Sequence, residues 1–258
     1  MHARLKLEIL IVLAVTFGMS GLKAAMKLID AWLSPTPLNQ KQVVLNDSVS
    51  RLDWLDVGLQ LASAGTLIAW GLLALYLLAV VPAGSGSGSG SAVGSGAGSA
   101  SHVGFAWRWP GWRDWAWGAG LAALIGLPGL ALYVGALHFG FSAEVVPATD
   151  SSKLPLLLAW SFANAFGEEI VVVMWFVSRL RQLGVPVWGA IAGSAVLRGS
   201  YHLYQGFSAG LGNVVMGVVF AWFYARTGKV WPLILAHFLI DAVAYIGYLF
   251  LDLSWLGI

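Results

Sequence analysis

Six residues in the second half of the chain are of types that do acid–base chemistry, and their spacing pairs them. Glu168 and Glu169 are adjacent; Arg198 and His202 are four apart, as are His237 and Asp241. Residues four apart share one face of a helix. Adjacent positions point about 100° apart, so the two glutamates are not expected to aim at one reacting atom. One should face a site and the other a structural partner. Two imidazoles and a carboxylate around a water can abstract its proton, polarise a carbonyl and stabilise an oxyanion. The same groups could ligate a metal ion with water in an open position, or relay protons. Spacing alone leaves these alternatives open.

The setting of the acids narrows the problem. They lie inside an apolar run from about Leu154 to Val177, long enough to cross a bilayer. A carboxylate near the bilayer centre costs about 2.5–3.5 kcal/mol even on lenient insertion scales. No base follows on the next helical turn, so the partners must come from Arg198, His202, His237 and Asp241, all in apolar surroundings. Glu168 precedes Arg179 by about eleven residues, roughly 16 Å of helix, which puts it near mid-membrane. His237 falls a few residues into its own span. His202 is expected toward the far end of its span, a mismatch in depth unless that helix is short, tilted or broken, with Gly199-Ser200 the candidate break.

Composition supports the membrane setting. Of 258 residues, 59% are hydrophobic and 10% charged, against about 25% charged in soluble domains. The chain also holds 14 Trp and 32 Gly. Cysteine is absent, which excludes a disulfide framework, a thiol nucleophile and a Cys-ligated metal site. No basic run suggests nucleic acid, and the net charge of +2 says little about partners.

These features predict an all-α, polytopic transmembrane helical bundle of about seven spans. Residues 1–82 hold two spans, about Leu7–Leu28 and Trp54–Val81, with an extracytoplasmic loop between them. A cleaved signal peptide is the rival reading of the first; a retained helix is expected, with Lys23 and Lys27 snorkelling. Residues 83–106 are a cytoplasmic linker of Gly, Ser and Ala. Residues 107–150 comprise an interfacial segment rich in Trp and Arg and a third span, about Trp115–Leu137. Residues 151–258 hold four more spans, about Leu154–Val177, Val187–Tyr204, Gly210–Tyr224 and Trp231–Leu251. Gly189 and Gly193 offer a small-residue face for close helix packing. With seven spans, Arg4, Lys6, Arg108, Arg113, Arg179, Arg181, Arg226 and Lys229 fall on one side, as the positive-inside rule requires. The expected topology is N-in, C-out, in the cell membrane as a multi-pass protein.

Bland roles exist for each polar residue. Arg198 could only neutralise a glutamate, Asp241 could only hydrogen-bond across helices, and His138 is expected to be a hydrogen-bonded helix-packing residue. His2 and His102 carry no signal.

At the Glu pair and the two histidines the chain resembles the CPBP intramembrane endopeptidases, which include the CAAX prenyl proteases of the Ras-converting type and bacterial immunity-protein processors. The family pattern is Glu-Glu, three residues and Arg; then Phe-x-x-x-His; then His-x-x-x-Asn or Asp. Here these are Glu168-Glu169; the stretch Leu197-Arg198-Gly199-Ser200-Tyr201-His202; and His237-Phe238-Leu239-Ile240-Asp241. The matching stretch runs from about Phe162 to Tyr248, and its wording points to a bacterial branch. The resemblance implies a membrane-embedded protease, a hydrolase that cleaves a membrane protein or peptide substrate in the lipid bilayer. It makes Glu168 the base that activates water, assisted by His202, with His237 and Asp241 stabilising the oxyanion and Glu169 a second acid held by a base. No cofactor is required by these motifs. Were a divalent metal such as zinc present, Glu168, His202 and His237 would be its ligands. Two departures stand out: Val173 replaces the motif Arg, and Arg198 stands where the second motif has Phe. The expectation is that Arg198 takes over the missing guanidinium. The competing class is a catalytically inactive binding protein or a proton- or ion-coupled transporter that uses the same buried acids.

Overall fold

The computed structural model describes residues 2–80, 109–147 and 151–251. The expected linker at residues 83–106, with Trp107 and Arg108, lies outside the described residues, as do His102, Asp150 and the last seven positions.

Nearly everything described is helical. Helices α1 (His2–Val15) and α2 (Phe17–Leu33) meet at a 49° bend. Thr16 leaves helical geometry at that joint, and its hydroxyl donates back to the Val12 carbonyl at 2.6 Å. Helices α3 (Asp53–Val80) and α4 (Trp112–His138) follow. Next comes one long segment, α5 (Leu154–Glu168), a π-helical stretch (Glu169–Trp175) and α6 (Phe176–Gln182). Helices α7 (Val187–His202), α8 (Phe207–Thr227) and α9 (Trp231–Phe250) complete the bundle.

Local chemistry explains the boundaries. Pro155 and Pro232 sit in the first turns of α5 and α9, where a missing N–H costs nothing. Gly228, at φ +66°, closes α8 with its N–H on the Tyr224 carbonyl at 2.8 Å, a left-handed cap that suits glycine.

Five segments are long and apolar enough to cross a membrane, and the bent α1–α2 pair makes a sixth. Helix α7, the remaining expected span, has 16 residues, about 24 Å of rise, and is not among them. A feature not expected from the sequence is a parallel two-stranded ribbon, β1 (Gln42–Leu45) paired with β2 (Glu144–Pro147).

The long α5–α6 segment is the axis of the bundle, mostly buried along its apolar length where α4 is mostly not. Ile170 to Trp175 are all buried. Four consecutive β-branched residues, Ile170 to Val173, crowd the preceding turn of an α-helix, and here the turn widens. Ser194 Oγ on α7 donates to the Val172 carbonyl of that stretch at 2.7 Å.

Tight packing of α7 does not use the face expected from the sequence. Gly189 is exposed, and Gly193 meets only side-chain ends from α6. The close approach is one to two turns further on. A Cβ on Gly199 would lie 2.4 Å from Val214 Cγ2 and 2.8 Å from the Gly210 carbonyl oxygen. One on Gly217 would lie 2.7 Å from Ala195 Cα. His138 is also corrected: it is exposed at the end of α4, edge-on to Phe139.

Polar contacts tie the ends of the bundle. Arg179 on α6 donates through Nε to Glu8 of α1 at 2.7 Å, and Trp109 stacks on Trp231. The starts of α1, α4 and α9 therefore share an end with the close of α6. At the opposite end, Asn46 after β1 donates to the Tyr245 hydroxyl at 3.1 Å.

Candidate active site

Glu168 closes α5 and Glu169 opens the π-helical stretch, both buried in the centre of the bundle. Their side chains divide. Glu168 Oε2 accepts a hydrogen bond from the Tyr201 hydroxyl at 2.7 Å and lies 3.7 Å from His202 Nε2. Glu169 Oε1 is 2.7 Å from His237 Nδ1 and accepts from Arg198 Nη2. The two acids do not aim at one atom, but they meet at one guanidinium: Arg198 Nη1 stands 3.5 Å from Glu168 Oε2.

Arg198 is fully buried. Its Nη1 also points at Met216 Sδ at 3.6 Å, and its guanidinium lies 5.5 Å from the Phe220 ring centroid. Its rigid planar fork gives a separate nitrogen to each carboxylate, a geometry that the point charge of a lysine ammonium does not fix. Val173, where the family pattern has arginine, is also fully buried and packs in the apolar core. The guanidinium reaches the acids from the neighbouring helix instead.

The expected depth mismatch of His202 is absent. Helix α7 ends at His202 rather than continuing to Tyr204, and a 3-10 turn, Leu203–Gln205, follows. The helix runs unbroken through Gly199-Ser200. Counted from the turn between α6 and α7, Glu168 and His202 are about equally deep.

His237 connects the remaining acid. Its Nδ1 is held by Glu169, and its Nε2 lies 3.7 Å from Asp241 Oδ2 one turn along α9. Asp241 reaches the cluster through His237 rather than through Glu168. Both ring nitrogens of His202 are shielded and lack hydrogen-bond partners, as do Glu169 Oε2 and Arg198 Nε. His202 Nε2 faces the Glu168 carboxylate at 3.7 Å, longer than a direct hydrogen bond.

All six sequence-derived residues are therefore brought together around Arg198. Tyr201 is the member that motif reading passed over. Its signal was in the spacing, since it lies three positions after Arg198 and so shares a helix face with it. Among the described residues, no three of His, Asp and Glu are arranged to hold a metal ion. Glu168 and His202 face one another, while His237 holds Glu169 through Nδ1 and turns Nε2 toward Asp241.

A multi-pass helical membrane protein with a buried cluster of two glutamates, arginine and two histidines is the class defined by this fold and site. Residues 150–243, from the approach to α5 into α9, match the family described as Rce1-like, type II CAAX prenyl endopeptidase. That stretch holds all six residues and is similar to this endopeptidase family over that length. No protein of described function and no solved structure matches the chain.

Proposed function

We propose that the chain is an intramembrane endopeptidase that hydrolyses a peptide bond with a water activated by Glu168 and His202. The observation that carries this is the pairing of Glu168 Oε2 with His202 Nε2 at 3.7 Å, with both nitrogens of that ring unpartnered. A water seated there loses a proton to Glu168 as its oxygen adds to the scissile carbonyl. His237, anchored through Nδ1 on Glu169, presents Nε2 beside Asp241 to the developing oxyanion. The proton held by Glu168 then passes to the leaving amine as the C–N bond breaks. Arg198 and Glu169 hold the frame. Every step uses side chains of this chain, and the metal-free form is the reading adopted.

The substrate is a membrane-associated protein or peptide. The base-rich end, with Arg179, Arg181, Arg226 and Lys229, is assigned to the cytoplasmic face of the cell membrane on the positive-inside rule.

The test uses the full chain in proteoliposomes with quenched-fluorescent peptides, with and without a farnesylated cysteine, and mass spectrometry of the products. Cleavage by wild type and none by a folded Glu168→Gln variant is expected. Cleavage by Glu168→Gln at the wild-type rate defeats the mechanism. A pH-dependent ion flux with no peptide product supports the transport alternative instead.

A further inference from the structure

We infer that Tyr201 is a positioning residue for Glu168, and that Phe17, at the joint between α1 and α2, holds Tyr201 in place. The inference rests on the proposed role of Glu168, and it extends the working site beyond the segment that carries the family motifs. Phe17 lies far outside residues 150–243.

The Tyr201 hydroxyl donates to Glu168 Oε2 at 2.7 Å, the same oxygen that faces His202. A carboxylate oxygen held by one donor has its remaining lone pair fixed in direction. The tyrosine thus decides where the base points, without contacting substrate. Tyr201 is buried, and two rings flank it: His202 at 4.8 Å and Phe17 at 4.8 Å between centroids. The phenol lies between the histidine of the site and the N-terminal helices.

Phe17 is fixed from the other side. It is buried and meets Trp70 of α3 edge-on at 5.5 Å. It is the first residue of α2, directly after the non-helical Thr16, so its position follows the bend between α1 and α2. Four residues on, a Cβ at Gly21 would lie 2.3 Å from Ser200 Oγ, the neighbour of Tyr201. Helix α2 therefore packs on the last turn of α7, where any side chain at position 21 would meet that of Ser200. Straightening or lifting the α1–α2 pair would remove the wall behind Tyr201 and release the carboxylate. Such aromatic pairs stabilise beyond their burial alone and so favour one rotamer of Tyr201.

The experiment reads the Glu168 carboxylate directly. Infrared spectra of the purified full chain are compared for wild type, Tyr201→Phe and Phe17→Leu, and the Glu168 band is assigned by its loss in Glu168→Gln. Tyr201→Phe keeps the ring and removes only the donor. Its carboxylate stretch should shift and Tm should fall only as far as the loss of one buried hydrogen bond requires, while kcat on a cleaved peptide falls about tenfold with KM unaltered. Phe17→Leu should shift the same band in the same direction, and Phe17→Tyr should restore it. An unshifted band in Tyr201→Phe overturns the assignment. A shift there but none in Phe17→Leu overturns the part given to the helix joint. Because the band needs no substrate, failure of every peptide to be cleaved refutes the proposed reaction and leaves this reading standing or falling on its own.

Discussion

Arg198 donates through Nη2 to Oε1 of Glu169, and both side chains are fully buried. Removing one partner of such a pair strands a charge, at about 3–5 kcal/mol, whereas removing both can be nearly neutral. Arg198→Ala is expected to lower Tm sharply, followed by Trp fluorescence in detergent. The double variant Arg198→Met/Glu169→Gln should recover most of the loss. A double variant no more stable than the single would mean that the pair does not hold the bundle together.

The location of the arginine can be tested separately. Restoring the family wording with Val173→Arg should not rescue Arg198→Ala. Val173 is fully buried within the apolar core, and a guanidinium inserted there is overpacked as well as uncompensated. Recovery of Tm in the double variant would show that the two helices offer equivalent seats.

Much of the site was legible because buried charges must find one another. Once Glu168 and Glu169 stood in an apolar run, only a few later residues could answer them, and spacing put Arg198 with His202 and His237 with Asp241. The spans were visible for a similar reason, since α3, α4 and α9 are apolar on most faces. The depth of His202 misleads when Glu168 is counted from Arg179 rather than from the turn between α6 and α7, which is the common origin for both residues. The π-helical stretch was hidden as well: Ile170 to Val173 read as a generic apolar run, and the widened turn shows only in the backbone of the folded segment. Gly189 and Gly193 misled because a small-residue repeat shows where helices can approach, not where they do. The ribbon β1–β2 pairs segments about a hundred positions apart, which no local pattern reports.

Close packing of α7 on α8 carries its own expectation. Gly199→Ala and Gly217→Ala each place a methyl within 3 Å of atoms on the facing helix, including backbone. Overpacking of this kind costs about 1–3 kcal/mol. Both variants should lower Tm, and Gly217→Ala should also lower activity, because its Cβ would lie 3.4 Å from Arg198 Cδ. Gly189→Ala is the control: the position is exposed, and only Val185 and Pro186, from the turn before α7, come within 4 Å, so its effect should be far smaller. Equal losses at Gly189 and Gly217 would contradict the packing.

The two histidines should separate stability from turnover. His237 is anchored on Glu169 at 2.7 Å, so His237→Ala removes a buried hydrogen bond, at about 1–3 kcal/mol, and also removes the group assigned to the oxyanion. His202 makes no hydrogen bond through either ring nitrogen. Its loss leaves no protein group newly unpaired except through the longer approach to Glu168. His202→Ala should therefore retain a Tm close to wild type while peptide cleavage falls by about 10²–10⁴-fold, the usual span for a general acid–base group. His237→Ala should lose both. If His202→Ala proves as unstable as His237→Ala, the ring is a packing element, and the water assigned to the gap between it and Glu168 has no basis.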